Sequence, residues 1–303
     1  MATLDVTACS RWYGNVVAVN DVTMRIAPGI TGLLGPNGAG KSTLISMLAG
    51  FLPPSAGTVT LDGAPIWKNQ EVYRVLGLVP EREATFDYLT GRDFVVANAE
   101  LHGLPDPGAA AQRAVETVAM TDAQGRKIGE YSKGMKQRIK MAAALVHDPA
   151  VLLLDEPFNG MDPRQRLHLI TLLRSMGAAG RTVLFSSHIL EEVEQLANHI
   201  EVLVAGRHAA SGDYREIRRL MTNRPHQYTI TSGDNRALAA ALVADRSTSA
   251  VSLDGDTLRV EATEFLRFAE LLPRVARDAG VRLYEITPAD ESLESVFSYL
   301  VQA

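Results

Sequence analysis

Nine residues near the start of the chain, Gly35-Pro36-Asn37-Gly38-Ala39-Gly40-Lys41-Ser42-Thr43, carry the plainest chemistry in the sequence. A glycine, four residues, a second glycine, a lysine and a hydroxyl residue form the spacing in which successive backbone N–H groups surround the β- and γ-phosphates of a nucleotide. Gly35, Gly38 and Gly40 allow backbone conformations and close approaches that a Cβ would block. Lys41 supplies a cation to the phosphates, and the Ser42 hydroxyl can ligate Mg²⁺. Apolar residues 30–34 run in like a buried strand and residues 44–49 leave like a helix. That context separates a phosphate cradle from a glycine-rich turn with an incidental lysine.

A second group of residues fits the same chemistry. The run Val151-Leu152-Leu153-Leu154 ends in Asp155-Glu156-Pro157, the pattern of a central parallel strand with functional groups at its carboxyl end. This is the Walker B pattern, in which Asp155 would hold Mg²⁺ through its waters and Glu156 would polarise an attacking water. Another apolar run, residues 182–187, ends at His188. A lone histidine is usually structural, but one that ends a core strand stands where the ligand crevice opens and reads as a phosphate contact. Tyr13, ahead of the cradle, could stack on adenine or fill a core, and its position alone leaves both open. Ser132 and Gly134 open a helical run over residues 137–146, where free N–H groups and the positive end of the dipole favour an anion. Serine is also simply a good N-cap.

The elements that must position these residues follow from pattern and punctuation. Residues 4–8, 16–22 and 23–26 alternate like strands, with Asn20-Asp21 and Pro28-Gly29 as turn signals. Residues 58–61 with Asp62-Gly63 predict a hairpin, and residues 75–80 another strand. Thr90 with Asp93 caps an amphipathic helix over 94–104 that Pro105-Asp106-Pro107-Gly108 ends. Helices are also expected over 109–120 and 163–175.

Length and composition bound the rest. A chain of 303 residues predicts two domains, and 46% hydrophobic with 21% charged residues is ordinary for a protein with a sizeable core. A net charge of −5 disfavours a nucleic-acid surface, so no nucleic-acid partner is expected. The single cysteine, Cys9, excludes an internal disulfide and a cysteine-based metal site. The first residues lack the positive start and apolar stretch of a signal peptide, and the longest apolar runs, 141–146 and 150–154, fall far short of the ~18 residues a membrane span needs. The expectation is a chain that does not cross a bilayer.

Taken together these motifs resemble the ATP-binding cassette (ABC) ATPases over about residues 3–220. Tyr13 stands where that family's adenine-stacking aromatic stands, and GPNGAGKST is its Walker A as usually written. Ser132 and Gly134 fall on the serine and second glycine of the LSGGQ signature, Leu154-Asp155-Glu156 on Walker B, Asp162 on the D-loop aspartate and His188 on the switch histidine. The resemblance implies ATP and Mg²⁺ as ligands. It also implies two cassettes that close head to tail over two ATP molecules, each signature touching the γ-phosphate held by the opposite Walker A. Two departures stand out: the signature reads YSKGM, with Lys133 and Met135 in place of a glycine and the glutamine, and Glu81 occupies the Q-loop position. A glutamate can still reach Mg²⁺ but adds a negative charge near phosphates. Residues 83–104 resemble the surface that receives the coupling helix of a membrane partner; a core helix would show the same amphipathicity.

Beyond residues 221–225 the pattern changes to β-α-β-β-α-β, the ferredoxin-like order, with Phe265, Phe268, Leu272, Val275 and Ala279 expected to face the sheet. Leu293, Val296, Phe297 and Leu300 mark a closing helix. The tail string at residues 292–297 resembles the ATPase subunits of type-2 ABC exporters, with dimer contact or regulation as its expected work.

The expected fold class is therefore α/β: a P-loop ABC ATPase core over residues 1–220, with a helical subdomain at about 82–147, plus a small C-terminal α+β domain over 226–303. The expected function is the ATPase subunit of an exporter, peripheral on the cytoplasmic face of the membrane. Its partners would be a transmembrane permease on a separate chain and a second copy or a paralogue. The alternative is a soluble ABC ATPase acting on ribosomes or DNA. It fits less well, because only one cassette occurs, no long insertion separates Lys41 from Asp155, and the balance is acidic. The absence of an NKxD motif weighs against a GTPase.

Overall fold

The computed structural model describes residues 2–82, 84–213, 225–244, 248–289 and Phe297. The chain divides into two compact units, Met1–Ser211 and Gly212–Ala303.

In the first unit β1 (Leu4–Tyr13) and β2 (Val16–Ile26) form an antiparallel pair. Alternation predicts a turn at Asn20-Asp21, but β2 runs unbroken through it. Asp21 takes a left-handed φ of 52° at a register shift against β1, and its N–H donates to Ser10 Oγ at 2.9 Å. The turn residues mark a bulge, which needs the same backbone freedom as a turn. The strand β3 (Gly29–Leu34) belongs to another sheet. After it come β4 (Ala56–Leu61) and β5 (Ala64–Pro65), which extend the first sheet in the order β2-β1-β4-β5. Asp62 and Gly63, at φ 49° and 81°, make the expected two-residue hairpin between them.

The second sheet holds the site. Its six strands run in the order β10-β9-β3-β8-β7-β6, with β6 (Leu76–Val79), β7 (Val151–Leu154), β8 (Thr182–Ser187), β9 (His199–Val204) and β10 (Arg207–Gly212). From β6 across to β9 every neighbouring pair is parallel. All four residues of β7 and all six of β8 are buried, as parallel strands covered on both faces require. Leu34 pairs with Ser187, and Leu154 with Phe185. The carboxyl ends of β3, β7 and β8 therefore lie side by side, and whatever follows them converges on one edge.

Six helices complete the unit: α1 (Lys41–Leu48), α2 (Gly91–Leu101), α3 (Pro107–Thr117), α4 (Lys133–Leu145), α5 (Pro163–Ala178) and α6 (Leu190–Leu196). Thr90 Oγ1 accepts from the Asp93 N–H at 3.1 Å, the cap read from the sequence. Helix α3 starts at Pro107, two residues earlier than expected, with Asp106 capping it and proline in the first turn. Helix α4 starts at Lys133 rather than Gln137, because Ser132 is its cap. Helices α2, α3 and α4 pack on one another between β6 and β7. Among the described residues no helix is long and apolar enough to cross a membrane.

The second unit contains β11 (His226–Ser232), α7 (Asn235–Val243), β12 (Thr248–Asp254), β13 (Thr257–Ala262), α8 (Phe265–Asp278) and β14 (Leu283–Pro288). The strand order β12-β13-β11-β14, antiparallel throughout, is the ferredoxin-like sheet. Tyr228, Ile230, Leu258 and Val260 pack against Leu238, Leu242, Phe268 and Leu272. In α8 the buried positions are Phe268, Leu271, Leu272 and Ala276, with Val275 half-buried and Ala279 exposed. Ala279 was expected on that face but is the C-cap, beyond the last turn. The first unit ends at Ser211, within the last strand of its sheet, and residues 214–220 lie outside the described residues. Residues 221–224, and Leu293, Val296 and Leu300 of the expected closing helix, lie outside the described residues; Phe297 is helical.

Candidate functional site

The loop of residues 35–40 joins β3 to α1 and forms one wall of a cleft of about 440 Å³. Gly40 sits at φ 100°, and a Cβ there would come within 2.3 Å of the Ala18 carbonyl oxygen on β2. Both the backbone conformation and the space exclude any other residue. Helix α1 then begins at Lys41 with no acidic residue in its first turn, so its free N–H groups face the cleft without a competing carboxylate from that turn.

Lys41 is buried, and its Nζ donates to the Gly35 carbonyl at 2.7 Å and the Pro36 carbonyl at 3.2 Å. The Glu156 carboxylate stands 3.8 Å from the same nitrogen. Burial pulls the Lys41 ammonium below its ordinary pKa, and the charges of Glu156, Asp155 and Glu81 work against that. An anionic ligand entering the cleft meets a cation already stripped of most of its water.

Across the cleft, the residues after β7 are held by β8. Asp155 Oδ1 accepts from Ser186 Oγ at 2.6 Å, and Ser186 Oγ in turn accepts from the Glu156 N–H at 2.9 Å. Glu156 has a left-handed backbone, φ 50°, which costs a non-glycine residue roughly 1–2 kcal/mol. The Ser186 bond is a local offset to that strain. Both carboxylate oxygens of Glu156 reach His188 Nδ1, at 2.9 and 3.0 Å. Ser42, Thr43, Asn37, Gly38, Ala39 and Glu81 complete the lining, with Ala18 from the first sheet.

The cleft thus brings together Lys41, Ser42, Glu81, Glu156 and His188, with Asp155 buried directly behind Glu156. It does not include Tyr13, Ser132, Gly134 or Asp162. Tyr13 lies half-exposed at the end of β1 under the Arg11 guanidinium, 4.9 Å from the ring centre, which rules out the core position left open by the sequence. Ser132 caps α4, accepting from the Met135 N–H at 3.3 Å, and is exposed. Gly134 has a packing role that its reading as an anion contact did not foresee: a Cβ would lie 2.9 Å from the Gly160 carbonyl and 2.4 Å from Gln165 Oε1. Asp162 caps α5 through the Gln165 N–H at 2.9 Å. Sequence reasoning missed Ser186 and Ala18. Ser186 had a usable signal, a hydroxyl inside an otherwise apolar strand, since a buried hydroxyl needs a partner.

A family model described as ABC transporter matches residues 19–159. The daunorubicin resistance ATP-binding protein DrrA3 of Streptomyces coeruleorubidus is 31% identical over 98% of this chain and 95% of its own length. The chain belongs to the ABC transporter ATP-binding proteins. The Nod factor export ATP-binding protein I of Rhizobium etli is likewise 31% identical, over 98% of this chain and 92% of its own. A solved ATP-binding subunit of an ABC transporter superposes with a TM-score of 0.66 at 29% identity, over 71% of this chain and 92% of that one. As an ABC ATPase the chain binds ATP, and the cleft opens at the carboxyl ends of β3, β7 and β8, where ligands of open α/β sheets bind.

The donor set around the cleft also fits Mg²⁺. Among the described residues no cluster of three or more His, Cys, Asp or Glu side chains could hold a metal by itself. One hydroxyl and one or two carboxylates beside the phosphate site are what Mg²⁺ needs, because it keeps waters and takes phosphate oxygens as further ligands.

Proposed function

We propose that this cassette is the Mg²⁺-dependent ATP-hydrolysing subunit of an exporter, with Glu156 as the general base. The observation that carries the proposal is the Glu156 carboxylate, buried at the cleft, held by His188 at 2.9 Å and facing Lys41 at 3.8 Å. Gly35 to Thr43 wrap the β- and γ-phosphates, and Lys41 neutralises the charge that develops on them. Ser42, Asp155 and Glu81 would hold Mg²⁺, which supplies charge stabilisation to the transferred phosphoryl group. Glu156 accepts a proton from the attacking water while His188 fixes the carboxylate's direction and contacts the γ-phosphate. Tyr13 stacks on the adenine.

Ser132, Gly134 and Asp162 serve the opposite nucleotide in a head-to-tail pair of cassettes, formed with a second copy or a paralogue. Their absence from the lining of their own chain's cleft supports this. The transmembrane permease is a separate chain, and the cassette is peripheral on the cytoplasmic face of the membrane. A groove of about 420 Å³ between β6, α2 and α4, lined by Phe51, Leu78, Phe94, Leu101 and Ala144, supports docking of a permease helix. The export direction is supported by the Nod factor export and daunorubicin resistance relatives, which align with nearly the whole chain. The C-terminal domain, residues 226–303, serves dimer contact or regulation.

Glu156→Gln tests the reading. Turnover should fall about 10²- to 10⁴-fold, the weight of a general base, while binding of a fluorescent ATP analogue holds. Near-normal turnover would remove Glu156 from the role. Recovery of the chain from detergent extracts with ribosomes or DNA, rather than with a membrane protein, would overturn the transport assignment.

A further inference from the structure

Lys140 has no place in the chemistry above, yet it is buried in α4, with 6% of its surface exposed. Its Nζ donates to the Pro80 carbonyl at 2.7 Å and the Arg82 carbonyl at 3.2 Å. These are the residues on either side of Glu81. A lysine is costly to bury and is buried only where its donors are satisfied. This ammonium grips the backbone one residue before and one residue after a carboxylate that lines the phosphate cleft. Holding the Pro80 carbonyl, in the peptide that enters Glu81, and the Arg82 carbonyl, one peptide beyond it, restricts the direction in which the Glu81 side chain leaves the chain.

The loop needs such a hold. Strand β6 ends at Val79 on the outer edge of the six-stranded sheet, paired only with β7. Beyond it the sheet offers the loop a neighbour on one side only. The grip comes from α4, the helix whose cap is Ser132. Lys140 lies seven residues after Lys133, roughly 10 Å along a rigid helix at 1.5 Å per residue. Lys140 also lines the groove between α2, β6 and α4.

We infer that Lys140 is a positioning residue that fastens Glu81 to α4, so that the Glu81 carboxylate follows the helix capped by Ser132 rather than the β3–α1 unit that carries Lys41. This rests on the nucleotide-site reading given under Proposed function. A displacement of α4, from the groove side or from the Ser132 side, then changes where the Glu81 carboxylate stands relative to the phosphates. Turnover would thereby respond to the helical region without any contact between that region and the nucleotide on its own chain.

The test is a double-mutant cycle on the full chain with Lys140→Met, Glu81→Gln and the double variant, and with Lys140→Arg as the conservative change. ATPase rate is measured against Mg²⁺ at saturating ATP, and a fluorescent ATP analogue is titrated in EDTA. Lys140→Met should lower turnover about 5- to 20-fold and raise the half-saturating Mg²⁺ about 5-fold, as expected for a misplaced ligand, with analogue binding in EDTA within about 2-fold. Lys140→Arg should recover to within about 3-fold of the unmutated chain, because it keeps the charge and the donors. In the Glu81→Gln background Lys140→Met should cost less than about 2-fold more. Equal losses in both backgrounds, or an unchanged Mg²⁺ requirement, would overturn the inference and leave Lys140 a packing residue. If Lys140→Met does not fold, Lys140→Gln, which keeps one donor group without the charge, carries the same cycle. An unmutated chain that neither binds the analogue nor hydrolyses ATP would instead sink the nucleotide-site reading, and Lys140 with it.

Discussion

Ser186→Ala is the most informative single change, because one hydroxyl holds both the Asp155 carboxylate and the Glu156 backbone. The side chain is fully buried, donates to Asp155 Oδ1 at 2.6 Å and accepts from the Glu156 N–H at 2.9 Å. Removing it loses one bond to a charged group and one to an amide, about 2–4 kcal/mol together. For a unit of this size the midpoint of thermal unfolding should drop by roughly 4–16 °C. The activity loss should exceed what stability explains. Glu156 keeps a left-handed backbone at φ 50°, and without the anchor on its N–H the residue relaxes away from His188 and the attacking water. A misplacement of about 1 Å costs up to ~10²-fold in rate, so turnover at 25 °C should fall about 10- to 100-fold. Analogue binding should stay within about 3-fold, since the loop from Gly35 to Lys41 is untouched. Ser187→Ala is the matched control. Ser187 is equally buried, and its Oγ donates to Glu192 Oε2 at 2.7 Å and accepts from the Ile189 N–H at 2.9 Å, away from Asp155 and Glu156. It should melt at a similar temperature with turnover within about 3-fold of the unmutated chain. Equal rate losses in the two variants, or a Ser186→Ala chain with unchanged rate and midpoint, would refute the reasoning.

Two further perturbations follow from the same geometry. Lys41→Ala removes a buried cation among three carboxylates, and truncating a desolvated charge partner typically costs about 2–5 kcal/mol, so analogue affinity should drop by about 30- to 5 × 10³-fold in a fluorescence titration. His208 donates to the buried Glu201, and that hydrogen bond raises the His208 pKa above 6.5 against the opposing effect of burial. A raised histidine stabilises the fold fully below about pH 6.5, the unfolded value, and loses that contribution as pH climbs through the folded value. The melting midpoint should therefore fall more steeply in the unmutated chain than in His208→Gln as pH rises above 6.5. Parallel curves would place the pH dependence elsewhere.

The parts of this fold that were legible in the sequence are those where one local rule acts alone. The apolar residues 151–154 read as a buried parallel strand because nothing else explains four such residues before two carboxylates, and Thr90 with Asp93 read as a helix start because a cap is a local bond. The parts that were not legible depend on partners distant in the chain. Asn20-Asp21 has the composition of a turn, and only its pairing with β1 turns it into a bulge. The importance of Ser186 lies in two bonds to residues about thirty positions away. Lys140 carries no motif at all, since what matters is sixty positions back in sequence, at Pro80.

The separation of the phosphate cleft from the Ser132 end of α4 has a consequence for inheritance as well as for chemistry. In the head-to-tail pair of identical chains proposed above, each surface would occur twice and each composite site would draw one half from either molecule, so a lesion at Ser132 would spoil both sites together. When intact and damaged chains mix, every pair of unlike chains keeps one sound site, made from the cleft of the damaged copy and the signature helix of the intact one. A defective allele of this cassette should therefore behave in graded proportion to its expression wherever one working site suffices, and as a dominant poison wherever both must fire.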